Sequence, residues 1–66
     1  MKDYGQYELH YLPKARVTVH LIDGTDRTMV IDQIKIDGPI VRFGRDDGSG
    51  WREFLSAPLS SIISWS

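Results

Sequence analysis

Residues 17–24 have the sequence Val-Thr-Val-His-Leu-Ile-Asp-Gly, and this stretch decides the fold. The apolar residues Val17, Val19 and Leu21 alternate with polar residues, which is the period of a half-buried β-strand. The Asp-Gly pair that closes the stretch tolerates the positive φ that tight hairpin turns require. The stretch therefore predicts a first strand over residues 15–22 that ends in a turn.

Two further Asp-Gly pairs, Asp37-Gly38 and Asp47-Gly48, separate the apolar runs that follow. They predict turns between later strands, because Asp and Gly favour turn conformations for distinct reasons. The segment 56–60 is too short for an α-helix and contains a proline, so it predicts a single 3₁₀ turn. The remaining strands are predicted at residues 27–36, 40–43, 51–55 and 62–65.

The second predicted strand changes its apolar face part of the way along. Met29 and Ile31 share one parity, whereas Ile34 and Ile36 share the other, with the change at residues 32–33. A bulge that absorbs one register step would keep the apolar side chains on one face, so we expect one long strand bent there. The alternative is two short strands separated by a loop.

Five short strands with tight connections predict an all-β, strongly bent, SH3-like barrel.

The segment before the first strand fits two structures. Tyr4, Tyr7 and Tyr11 follow helical spacing, but the apolar residues from Tyr7 onward also alternate as in a strand. A short helix is the preferred prediction, and Pro13 ends it in either case. Residues 1–13 are therefore expected to form an N-terminal helix or extension ahead of the barrel.

Length and composition indicate one domain over residues 1–66. A chain of this length buries only about 60% of its unfolded surface, and the sequence has no Cys that would form stabilising disulfides. Both facts favour a homo-oligomer.

The formal net charge of −1 excludes a global basic field of the kind that drives nonspecific nucleic-acid binding. No run of 18 apolar residues and no cleavage-site pattern occurs, so the expected location is the cytoplasm, with no membrane partner.

The pieces of the chain also match a family pattern in order and spacing. Residues 17–24 are followed by Met29-Val30-Ile31-Asp32, Ile36-Asp37, Ile40-Val41-Arg42-Phe43 and finally Leu59-Ser60-Ser61-Ile62-Ile63. In this order they resemble the two motifs of the Sm-like (LSm, Hfq-like) small β-barrel family. The resemblance implies a barrel over residues 15–65, a closed homo-oligomeric ring of about five to seven subunits, and single-stranded RNA as a partner.

The sequence departs from that family at the residues that form the RNA pocket in Hfq, the bacterial RNA chaperone of the family. The family pocket has a polar and an aromatic residue after the Asp of the second turn, where this sequence has Gly38 and Pro39 instead. The pocket also has a Lys-His pair before the last turn, where this sequence has Ser56 and Ala57. The resemblance therefore implies the ring without that pocket, and any nucleic-acid contact must come from other residues.

Four arginines are the candidate nucleic-acid contacts, because guanidinium groups bind phosphate through charge-assisted hydrogen bonds. They are Arg27, Arg42, Arg45 and Arg52. The alternative is that they pair with nearby acids on a solvated surface, where each pair contributes about 0 to 1 kcal/mol. The interleaved acids are Asp26, Asp46, Asp47 and Glu53.

Apolar and aromatic residues of the last two strands are the candidate oligomer interface, since in the ring that the resemblance implies the fourth strand of one subunit pairs with the fifth of the next. They are Trp51, Phe54, Leu55, Ile62, Ile63 and Trp65. Tyrosine and tryptophan are enriched at interfaces, but Trp51 and Trp65 could instead stack on bases of single-stranded nucleic acid.

Neither catalysis nor a metal or cofactor is predicted. The two histidines are ten residues apart with no Cys or clustered carboxylates to complete a ligand set, and no serine lies in a nucleophile motif. The predicted function is a noncatalytic, RNA-binding, homo-oligomeric ring. The alternative is a protein-interaction or structural module, for example in a virus, that does not bind nucleic acid.

Overall fold

A single antiparallel sheet contains all the strands of the computed structural model, which describes residues 7–66. The sheet has the order β4-β3-β2-β1-β5, so β4 and β5 are its two edges. No pairing joins these two edges within residues 7–66, and the sheet is not closed. The strands are β1 (Tyr7–Leu21), β2 (Asp26–Asp37), β3 (Ile40–Asp46), β4 (Trp51–Pro58) and β5 (Ile62–Trp65), with a 3₁₀ turn at Leu59–Ser61 between the last two.

The three predicted turns are confirmed. Between β1 and β2, the Asp23 carboxylate accepts hydrogen bonds from the main-chain N–H and the hydroxyl of Thr25. Between β2 and β3 the loop has only two residues, Gly38 and Pro39, because Asp37 pairs with Ile40. Gly38 has a φ of 61°, the positive value that the first central position of a type II′ hairpin requires.

The bend in β2 lies where the change of parity predicts it, but the extra residues are in the neighbouring strand. Tyr11 of β1 pairs with Gln33, and Ala15 pairs with Ile31, so three residues of β1 lie opposite Asp32 alone. This bulge lies beside the change of parity, and both Ile31 and Ile34 are buried on the two sides of it.

The N-terminal segment is a strand as far as the structure describes it. Residues 7–12 belong to β1, with Tyr7 paired to Asp37 and Tyr11 to Gln33, so the preference for a helix there was wrong. The second half of β2 offers backbone hydrogen bonds to this segment, and that long-range pairing decides between two local patterns of similar strength. The part of the predicted helix at Tyr4 lies outside the described residues.

Two strands also end three residues later than predicted. Strand β3 continues past Phe43 to Asp46, and β4 continues to Pro58, so residues 56–58 are strand and the 3₁₀ turn comes later. Pro58 is the last residue of an edge strand, a position where the missing N–H costs little.

The core lies on the concave face of the curved sheet. Eight apolar side chains are buried there, with Val19, Ile31, Val41 and Phe43 fully enclosed. The other four are Val17, Met29, Ile34 and Leu55. The sheet curls far enough for Trp65 of β5 to meet Phe43 of β3, although β1 and β2 lie between these strands in the sheet.

Candidate functional site

The two edge strands are the first candidate for an interaction surface. Each presents unpaired backbone donors and acceptors, which are a template for pairing with another chain. On β5 the Ile63 side chain is 67% exposed and Trp65 is 37% exposed. An apolar edge of this kind is able to pair with a strand of a neighbouring molecule.

The structure divides the predicted interface residues into three groups. Leu55 is buried in the core, and Phe54 and Ile62 pack against it, so these three contribute to the fold of the single chain. Ile63 and Trp65 remain exposed on β5. Trp51, at the start of β4, is half-buried on the outer face of the sheet.

Trp51 lies over the main chain of Gly44 on the neighbouring strand. A Cβ at Gly44 would come within 2.7 Å of Trp51 Cη2 and would also collide with the carbonyl oxygen of Arg52. Lys35 of β2 places its Nζ 3.8 Å from the centre of the Trp51 ring, which is a cation–π contact. The outer face thus holds an aromatic ring with a cation on it.

Arg42 belongs to the same outer face and is held by acids. Its Nη1 donates to Glu53 Oε1 at 3.3 Å, and its Nη2 lies 3.8 Å from Asp37 Oδ2. Trp51 Nε1 donates to the same Glu53 oxygen at 3.4 Å. Glu53 therefore links the guanidinium group to the indole, and the positive charge of Arg42 is largely balanced within the chain.

Arg45 has a structural contact instead of an acid partner. Its Nη1 donates to the main-chain carbonyl of Val30 at 2.8 Å, and its guanidinium lies 4.8 Å from the centre of the Phe54 ring. Strand β3 pairs with β2 only from Gln33 onward, so Val30 lies beyond that ladder. The arginine satisfies a backbone acceptor at the point where the two strands separate.

The remaining predicted arginines lie elsewhere. Arg52 Nε donates to Asp47 Oδ2 at 2.9 Å in the loop between β3 and β4. Arg27 is exposed at the opposite end of β2, where it pairs with Val19, and it forms no ion pair with any residue from 7 to 66. The four arginines are therefore distributed over separate contacts, and three of them already have partners.

Two loop carboxylates are held in the ionised state by local hydrogen bonds. The pKa of Asp23 is lowered chiefly by the hydroxyl of Thr25 and next by the Thr25 main-chain N–H. The pKa of Asp47 is lowered chiefly by the hydroxyl of Ser49, then by the Ser49 N–H and by Arg52. Both are turn-forming contacts of the kind expected of Asp at loop starts.

One carboxylate oxygen at the bend, Asp32 Oδ1, is buried and has no hydrogen-bond partner among the described residues. No cluster of His, Asp and Glu able to hold a metal occurs in residues 7–66, and no cavity is present in that part of the chain. No helical segment in residues 7–66 is long and apolar enough to cross a membrane.

Sequence reasoning missed Gly44 and Lys35 as parts of the outer face. Gly44 was placed in the loop after the third strand, although a glycine inside a strand pattern commonly marks a close approach of another group. Lys35 gave no local signal, because its contact with Trp51 depends on the register of two strand pairs. Comparison with protein-family models, with curated proteins and with solved structures gives no match to this chain.

Proposed function

We propose that this protein is a noncatalytic Sm-like small β-barrel that acts as a homo-oligomeric ring of about five to seven subunits. The observation that carries the proposal is the sheet order, which leaves β4 and β5 as uncovered edges at opposite ends of one curved sheet. Pairing of the β4 edge of one subunit with the β5 edge of the next would cover both edges in every copy. Repetition of this head-to-tail contact closes a ring when the rotation between neighbours allows it.

Single-stranded RNA is the proposed ligand of this ring, as the family resemblance implies, and the cytoplasm is its proposed location. The outer face supports it with an aromatic ring and two cations, Trp51 with Lys35 and Arg42, and a ring would repeat this set in each subunit. Aromatic rings and cations along one surface are the usual components of single-strand binding.

The alternative is a protein-interaction or structural module, and a specific observation favours it. Arg42 and Arg52 are balanced by Glu53 and Asp47, so little free positive charge remains at the predicted contacts. Phosphate binding there would have to break these pairs. A module of this kind would use the edge strands for proteins only.

The ring is tested by the absolute mass of the protein, from light scattering coupled to size exclusion. We expect the wild type to be a closed oligomer and Ile63→Lys to lose the β4–β5 contact, because a charge on an edge strand opposes strand addition. Ile22→Lys is the matched control, since Ile22 is 64% exposed but lies in a turn. A wild-type monomer, or equal masses for both variants, would contradict the ring.

RNA binding is tested on the same samples with a short single-stranded RNA and with heparin as a competitor. Binding that exceeds heparin binding and that falls about tenfold in Trp51→Ala supports RNA as the ligand. An intact ring that does not bind RNA, or that binds heparin equally well, supports the protein-interaction alternative.

A further inference from the structure

Strand β1 has a second edge that β5 covers only in part. Strand β5 pairs with residues 19–21, and Ser66 exchanges hydrogen bonds with Thr18. From residue 7 to residue 17, no strand of the described chain pairs with that edge. Leu9 is 37% exposed and Tyr11 is 74% exposed there, so the open edge carries apolar side chains.

The residues next to Leu9 make this edge complementary to itself. Glu8 and His10 share the other face of the strand, and His10 Nε2 donates to Glu8 Oε1 at 3.1 Å. When two copies of an antiparallel strand are related by a two-fold axis, the residues opposite each other have the same parity. A register centred on Leu9 places Glu8 of each copy opposite His10 of the other.

The neighbouring two-fold registers are less favourable. A register centred on Glu8 places two carboxylates directly opposite each other, which is destabilising. Registers centred on His10 or Tyr11 bring Pro13 into the paired segment, where it has no N–H to donate. The Glu8–His10 complement and the position of Pro13 together select the pairing in which Leu9 faces Leu9.

We propose that two copies of this chain dock through the free edge of β1, in an antiparallel pair of residues 7–11 centred on Leu9. This contact uses the same surface on both copies and is separate from the β4–β5 contact of the proposed ring. It would join two rings, or two monomers if no ring forms, and the assembly would contain an even number of chains.

Cysteine cross-linking tests the register directly, because the natural sequence has no Cys. Residues facing each other in an antiparallel pair have Cα atoms about 4.5 to 5.5 Å apart, within the range of a disulfide. We expect Leu9→Cys to form a dimer on a nonreducing gel under mild oxidation. Ser60→Cys, an exposed position in the 3₁₀ turn, is the control for random oxidation.

A second pair of variants checks the same register. In the proposed pairing, His10 of one copy and His10 of the other are diagonal neighbours about 7 to 8 Å apart. This distance is too long for a disulfide, so His10→Cys alone should not cross-link. Glu8→Cys mixed with His10→Cys should give the mixed dimer. If Leu9→Cys cross-links no faster than Ser60→Cys, the proposal is overturned and the edge is left to a partner of another sequence.

Charge exchange gives an independent readout in the protein without cysteines. Glu8→Lys should raise the dissociation constant of the pair about tenfold, because it replaces the acceptor of the His10 N–H, and Glu8→Lys with His10→Glu should restore it, because a carboxylate then faces a donor group again. Arg27→Glu, at the far end of the sheet, should leave the mass unchanged. The Ile63→Lys variant should remain a dimer through β1, so that failure of the ring and failure of this contact give different masses.

Discussion

The ring of Trp65 meets the ring of Phe43 edge to face, with centroids 5.3 Å apart and planes at 79°. Trp65 lies on β5 and Phe43 on β3, and two strands separate them in the sheet. Only strong curvature brings their side chains together across the concave face. This contact therefore joins the last strand to the core by tertiary packing, beyond the short backbone ladder between β5 and β1.

Replacement of Trp65 by alanine should destabilise the protein more than its partial exposure suggests. Removal of the indole exposes the fully buried Phe43 and loses an aromatic pair worth about 0.5 to 1.5 kcal/mol beyond area burial. We expect Trp65→Ala to lower the free energy of unfolding by about 2 to 3 kcal/mol in urea titrations.

Ile22→Ala is the control for that measurement, because Ile22 is an exposed apolar residue outside the core. It should change the free energy of unfolding by less than about 0.5 kcal/mol. Equal effects of the two substitutions would mean that the Trp65–Phe43 contact does not stabilise the fold.

Gly44→Ala should be destabilising although alanine is a small residue. The added methyl group would meet the main-chain carbonyl of Arg52 and the indole of Trp51, and a backbone atom cannot move aside as a side chain can. Overpacking of this kind costs about 1 to 3 kcal/mol. Urea unfolding followed by tryptophan fluorescence should show the loss of stability together with a change in the native emission of Trp51.

Ser56→Ala, at an exposed position of the paired strand β4, is the matched control for Gly44→Ala. It should leave both the stability and the native emission near those of the wild type. If Gly44→Ala behaves in the same way, the close approach of Trp51 to Gly44 is not a constraint on the fold.

The alternation around Val19 and the Asp-Gly pairs predict most of the strands, because strand periodicity and turn chemistry are local properties of the sequence. The bend at Asp32 is also visible as a change of parity. The bulge that accompanies this bend cannot be predicted from the sequence of β2, because its extra residues belong to β1. The sequence of β2 does not indicate which residues of β1 pair with it. The strand at residues 7–12 was only the second choice for the same reason, because its partner is more than twenty residues away.

The candidate site was less predictable than the fold. Arg45 resembles a surface cation in the sequence, but its partner is a main-chain carbonyl at Val30, which only the departure of β3 from β2 leaves unpaired. Arginines near phosphates and arginines that satisfy the backbone look alike in sequence. The distinction depends on strand boundaries, the feature that periodicity defines least well.

Arg45→Met separates these two roles. Methionine keeps an apolar stem against Phe54 but leaves the Val30 carbonyl without its donor, so we expect a loss of about 1 to 2 kcal/mol of unfolding free energy. Arg27→Met, which removes a charge without a described partner, should leave stability nearly unchanged. Chemical denaturation of both variants checks this, and an Arg45→Met protein as stable as the wild type would return Arg45 to the candidate ligand contacts.

Acid should weaken the fold through Asp23 and Asp47. Hydrogen bonds from Thr25 and Ser49 hold the folded-state pKa of each carboxyl below its ordinary value of 3.8. The folded state therefore binds fewer protons than the unfolded state, and the stabilisation is fully present above about pH 4 and is lost as the pH falls through the folded pKa values.

The double variant Asp23→Asn/Asp47→Asn should be less stable than the wild type at pH 7 and should lose less stability on acidification. Urea titrations at pH 7 and pH 3 measure both quantities. Parallel pH profiles for the two proteins would mean that these turn contacts do not favour the ionised carboxylates.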